Sequence, residues 1–291
     1  MRTLLSFLAL LAVGAEAREL SWVYVVPAAA NAAGRNGTDW HTDLTLVNPQ
    51  DYALPVVLQF LPTGRDNRRG VPTVTFDLYP FETLNLWDVL GPKGFNARGA
   101  VGALVVAADT DRISCPANSS RCHFAVFSRT YTVGPLPGEF GQALPGFPAP
   151  WGLDWSVRAW LPQVSNDQDF RTNLGVASLS AAFVEVGYDL LDPKGRVLSR
   201  QSTWIAPYGH AQWALSGTVT GGTVVVYLRF APQDALLFPY ASVVHQRTGD
   251  PVYVEAHMTA VGWSLQAVAA RTGAGIQLPP RQPAPSFQMS R

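Results

Sequence analysis

The chain has 291 residues, 47% hydrophobic and 14% charged, and its 21 basic and 21 acidic side chains leave no net charge. That composition excludes disorder as the default. The zero balance, with Lys93 and Lys194 the only lysines, argues against nucleic acid or an anionic membrane surface as partner.

The first residues read as an export signal over 1–17. Arg2 is a short positive region, Leu4 to Val13 an apolar stretch, and Ala15-Glu16-Ala17 supplies small residues for cleavage ahead of Arg18. The stretch is too short for a membrane-spanning helix, which needs roughly 20 residues, so no membrane span is expected in the mature chain. Strand signals follow at Trp22 to Val26, Asp43 to Val47, Val56 to Leu61, Val74 to Leu78, Leu104 to Ala107 and Phe124 to Tyr131. Clusters of Gly, Pro, Asn and Asp separate them. Cys115 and Cys122, the only cysteines, are expected to form a disulfide closing a loop between two strands in an exported chain.

The proline-rich stretch Pro145 to Trp155 reads as a stiff linker with a boundary near residue 150. This gives a first domain over 18–148 and a second over 149–278. Second-domain strands are expected at Val157 to Leu161, Asn173 to Ala177, Val184 to Leu191, Ser199 to Ile205, Gln212 to Leu215, Thr223 to Phe230, Ala241 to His245 and Val252 to Ala256. Met258 to Arg271 reads as a short helix or a last strand. The proline-rich end, 279–291, reads as a disordered tail.

The two halves repeat each other. Asn36-Gly37-Thr38-Asp39-Trp40-His41-Thr42-Asp43-Leu44 recurs as Asn166-Asp167-Gln168-Asp169-Phe170-Arg171-Thr172-Asn173-Leu174, and Tyr79-Pro80-Phe81-Glu82 recurs as Ala206-Pro207-Tyr208-Gly209. Further matches keep the same order while their separation shortens along the chain, as loops of unequal length produce. Trp40, Thr42, Leu44 and Leu46 alternate onto one face, matched by Phe170, Thr172, Leu174 and Val176, and this face should point to the core. Pro62-Thr63-Gly64 and Asp192-Pro193-Lys194-Gly195 read as hairpin turns. The expected fold is all-β: two tandem antiparallel β-sandwich, immunoglobulin-like domains related by internal duplication.

Few residues carry chemistry. Asn36, Asp39, Asp167 and Asp169 are hard oxygen donors that could hold Ca2+ at the two repeated turns. The competing reading is an Asx turn leading into a strand, and no other cofactor is indicated. No nucleophile elbow, H-E-x-x-H helix or phosphate loop is present, so no catalytic residue is assigned and His41 reads as an exposed strand residue. Trp151 and Trp155 at the linker are either packed between domains or exposed for a ligand, where an indole face suits a sugar ring.

The stretch Gly37-Thr38-Asp39-Trp40-His41-Thr42-Asp43-Leu44-Thr45-Leu46-Val47-Asn48 resembles one that opens the domain in uncharacterised exported bacterial proteins built from tandem immunoglobulin-like sandwiches. The second copy departs at Asp167, Phe170 and Asn173. The resemblance implies the fold and an exported location, and it carries no catalytic residues. The expected function is a noncatalytic binding or structural module, periplasmic or extracellular, meeting a protein or polysaccharide at the cell surface. The alternative is carbohydrate binding through Trp151 and Trp155.

Overall fold

A computed structural model describes residues 20–116, 119–133, 139–261, 276–284 and 286–289. The export signal over 1–17 and most of the Met258 to Arg271 segment lie outside them. The chain is all-β. Its first half contains β1 (Val23–Ala33), β2 (Asp39–Val47), β3 (Leu54–Pro62), β4 (Val71–Leu78), β5 (Thr83–Leu86), β6 (Ala100–Ala108), β7 (Ala125–Val133), β8 (Glu139–Pro145) and the two-residue β9 (Phe147–Pro148). Its second half contains β10 (Val157–Asn166), β11 (Phe170–Ser178), β12 (Val184–Leu191), β13 (Val197–Ile205), β14 (His210–Ala214), β15 (Val219–Phe230), β16 (Leu237–His245), β17 (Pro251–Glu255) and β18 (His257–Ala260). A last short strand, β19 (Arg281–Pro283), returns to the first half.

Pairing follows the same order twice. The first half builds ladders β4-β3-β6-β1 and β5-β2-β7-β8, joined into one network where the end of β1 crosses to pair Ala32 with Trp40. The second half builds β13-β12-β15-β10, extended by β18, and β14-β11-β16-β17. In each half the facing ladders share one core. Leu44 and Leu46 of β2 meet Val56 and Leu58 of β3 and Leu104 of β6 in the first. Leu174 and Val176 of β11 meet Val186 of β12 and Val224 of β15 in the second.

The correspondence reaches single backbone angles. Phe81 and Tyr208, each following proline at a matched turn, both take the left-handed conformation, with φ of 56° and 46°. A bulky residue there is costly. The turns are closed by Glu82 N–H donating to Tyr79 O and Gly209 N–H donating to Ala206 O.

Three expectations are corrected. Pro62-Thr63-Gly64 is not a tight hairpin: the chain runs on to Gly70 before β4 begins, and Gly64 N–H and Asn67 N–H donate to His210 O and Pro207 O of the other half. Phe170, expected in the core, is exposed and packs edge-on against His245. The tail expected to be disordered is ordered over 279–284 and 286–289. There β19 runs parallel to β4, Gln59 donates to Pro279 O, Arg281 pairs with Asp109 at 2.9 Å, and Phe287 packs on Phe95. Proline cannot donate within a sheet but is tolerated on an edge strand, so a Pro-rich segment suits covering the open edge of β4.

The halves are docked through a third apolar cluster. Val23, Val25, Leu61, Ala103, Val105, Ala107 and Phe147 of the first half meet Ala177, Leu179 and Phe238 of the second. Both faces of β11 are therefore covered in its C-terminal part, and one-sided burial fails there. The linker is built into both halves: Phe147 pairs with Val25, and Leu153 bridges to Leu237.

Candidate functional site

The repeated turns hold their carboxylates in local bonds. Asp167 accepts the Thr220 hydroxyl at 2.6 Å and the N–H groups of Phe170 and Asp169 at 2.9 and 3.0 Å. These bonds, the Thr220 hydroxyl foremost, keep its carboxyl below the usual range. This is the Asx-turn geometry. Asp39 instead pairs with His41 at 3.3 Å. Asn36 lies in a 3-10 turn over Arg35–Gly37, and its side chain is outside the described residues. Asp169 contributes its N–H to the Asp167 carboxylate. Among the described residues no group of three His, Cys, Asp or Glu is placed to hold a metal ion. The calcium donors named from the sequence thus fall into two separate turns, and the Asp39 and Asp167 carboxylates serve other contacts.

Cys115 and Cys122 form a disulfide. Trp151, at the end of a 3-10 turn, and Trp155 are both exposed, at 44% and 40%. No helix among the described residues is long and apolar enough to cross a membrane.

A polar cluster that the sequence did not reveal lies on the outer face of β2. His41 is held by Asp39 on one ring nitrogen and Asp88 on the other, the latter at 3.2 Å. Asn31 donates to both Asp88 oxygens, and Asp88 N–H donates to Asp43 at 2.8 Å. Asp88 sits at φ 45°, and a side chain on Gly91 would lie 2.0 Å from its carboxylate. Burial pushes the Asp43 carboxyl up, against the Asp88 N–H that lowers it. Tyr131 is pushed up to about 12 by burial and then by Asp43, Asp88 and Glu139. The cluster fastens the turn after β5 to β1 and β2, since Val89 N–H also donates to Thr42 O.

The groove between the halves is the other concentration of polar side chains. Ala28 to Ala30 of β1, Trp40, Thr130 and Gln142 form one wall, and Arg171, Asn173, Gln212, Tyr240, Ser242 and Val244 the other, around about 140 Å³. Strand register explains the second wall. Arg171 and Asn173 alternate with the core residues Thr172 and Leu174 and lie opposite Val244 and Ser242 of β16. The next outward positions, Gly175 and Ala177, carry little or no side chain and let the first half approach; a Cβ on Gly175 would lie 2.2 Å from the Tyr240 ring.

Tyr240 of the groove wall is backed by His210, which is 1% exposed. Its Nδ1 lies 2.7 Å from the Thr63 hydroxyl and its Nε2 3.0 Å from the Tyr240 hydroxyl. The Thr63 hydroxyl donates to Val101 O and the Tyr240 hydroxyl to Gln212 Oε1. Burial lowers the His210 pKa to about 3 and raises that of Tyr240. Across the open part, Ser242 donates to Gln142 Oε1. The arrangement can accept a small polar solute. The sequence signals were weak: Gln142, Arg171 and Gln212 are far apart in the chain and meet only on docking.

No family model matches this chain, and no curated protein matches it. Among solved structures it is similar to β-glucuronidase 2 of Bacteroides uniformis bound to a cyclophellitol-6-carboxylate aziridine, at 14% identity over 78% of this chain with a TM-score of 0.16. A calcium-binding mutant of that enzyme (13% identity, TM-score 0.15) and a further Bacteroides uniformis β-glucuronidase structure (11%, 0.15) cover the same share. The chain spans 27% of the length of these enzymes. At such TM-scores the likeness carries no argument about activity.

Proposed function

We propose that this is an exported, noncatalytic binding module made of two tandem antiparallel β-sandwich domains of immunoglobulin-like type, 18–148 and 149–278, related by internal duplication and preceded by a cleaved signal peptide. The repeated pairing order and the matched left-handed aromatics Phe81 and Tyr208 support the duplication. The observation that carries the binding reading is the groove at the junction, to which both halves contribute hydrogen-bonding side chains held by a shared apolar core. Ligand sites occur preferentially at such domain interfaces. The partner is a molecule of the cell surface or its surroundings, periplasmic or extracellular.

A second reading, carbohydrate binding at Trp151 and Trp155, is favoured by the exposure of both indoles. The test takes the protein from fractionated cells, sequences its N-terminus, and assays turnover on panels of glycosides, esters and peptides. The reading expects Arg18 as the first residue and no turnover. Turnover lost on His41→Ala or Asp88→Asn would overturn it, because those two residues form the most enzyme-like contact among the described residues.

A further inference from the structure

Arg171 points from β11 into the groove, half-buried beside Asn173. Among the described residues its guanidinium faces no carboxylate. The charge acting on it is that of Arg35, a second cation, and burial and this repulsion both lower its pKa. A guanidinium withdrawn from water without an anion is costly, and Arg presents a planar fork that matches a carboxylate.

The groups around it are also donors in excess. Gln142 spends its Oε1 on the Ser242 hydroxyl, leaving its amide N–H groups for another acceptor. The side-chain amide of Asn173 faces the same space. Gly34 lets the Trp40 indole seat at the wall, since a Cβ there would lie 2.4 Å from its Nε1.

We infer that the groove binds a small organic carboxylate, its oxygens held by the Arg171 guanidinium and the amide N–H groups of Asn173 and Gln142, with Trp40 against its body. Among the lining residues Arg171 is the cation among neutral amides, and it balances one carboxylate charge. A groove of about 140 Å³ has the space of roughly four to five waters. That admits a short acid.

This inference rests on the binding-module reading and names its ligand class. The test is NMR of the arginine Nε–Hε signals in the 15N-labelled mature chain, titrated with sodium acetate and separately with inorganic phosphate. Arg171 is assigned by the loss of its signal in Arg171→Lys, and exposed Arg98 is the solvated reference. The expected result is a saturable acetate shift at Arg171, with half-saturation at least ten-fold below any at Arg98. The acetate-induced shifts of the Asn173 and Gln142 amides should be lost in Arg171→Gln, whose folding is checked by its unfolding midpoint. An Arg171 shift no larger than that of Arg98 would overturn the proposal. So would phosphate saturating ten-fold below acetate, which would make the site one for phosphate. Turnover dependent on His41 would overturn the module reading and leave the Arg171 shift intact, whereas a silent Arg171 without turnover would remove only the carboxylate site.

Discussion

Acid should loosen the docking of the two halves through one residue. His210 is neutral in the folded protein because burial holds its pKa at about 3, against 6.5 for a solvated imidazole. Its two ring nitrogens lie against the Thr63 and Tyr240 hydroxyls, and the Tyr240 hydroxyl itself donates to Gln212 Oε1. Protonation would place a charge where no water reaches. The folded pKa lies below the unfolded one, so the unfolded chain binds more protons between pH 6.5 and 3. Stability is therefore complete above about pH 6.5 and falls as the pH drops through that window. The slope approaches about 1.4 kcal/mol per pH unit, which amounts to roughly 2 to 3 kcal/mol by pH 4.5. Urea unfolding of the wild type and His210→Gln at pH 7.5, 6.5, 5.5 and 4.5 measures this, because the carboxylates titrate alike in both proteins and cancel in the difference. The variant should be less stable by about 1 to 2 kcal/mol at pH 7.5, through its altered hydrogen bonds, and should match or exceed the wild type by pH 4.5. Parallel stability curves would refute the assignment of a buried neutral imidazole.

Replacing Cys115 and Cys122 together by serine reopens a short loop, and chain entropy predicts a loss of about 2 to 3 kcal/mol, read as a lower unfolding midpoint and matched by reduction of the wild type. Gly175→Ala forces a methyl into the Tyr240 ring, which is 1% exposed. Overpacking of this kind costs about 1 to 3 kcal/mol, and a wild-type denaturation curve would contradict the close packing of the Tyr240 ring over β11. Deleting 279–291 uncovers the edge of β4 and removes one of the two acceptors of the buried Gln59 amide, leaving Thr73 Oγ1 for the other N–H. That orphaned donor costs roughly 1 to 3 kcal/mol, and the variant should also self-associate in size-exclusion chromatography. An unchanged midpoint and a monomeric profile would mean that the tail does not pair.

The sequence repeat was legible because matched positions of β2 and β11 do the same work: Thr42 and Thr172 face inward, both fully buried. The matched turns were legible as prolines, although their left-handed aromatics were not, since sequence carries no φ. Strand β5 escaped notice because it is four residues long, and β8 because Gly141 and Pro145 weaken its strand signal. The double burial of β11 had one visible trace, the small residues Gly175 and Ala177 on a face expected to meet water. Asp88 could not be read as a partner of His41, because a positive-φ aspartate in a turn looks like solvated loop. The groove was least legible of all: its donors come from β8 of one half and from β11 and β14 of the other, and the apolar cluster that includes Phe147 and Phe238 brings them together.

The most direct test of the binding site is tryptophan emission of the mature chain, Arg18 to Arg291, titrated with small carboxylic acids and soluble polysaccharides. A saturable change with a carboxylate that disappears in Trp40→Phe and persists in Trp151→Ala and Trp155→Ala is the predicted result. A saturable change with a polysaccharide that disappears only in Trp151→Ala or Trp155→Ala would contradict the groove as the site, as would the absence of any saturable change.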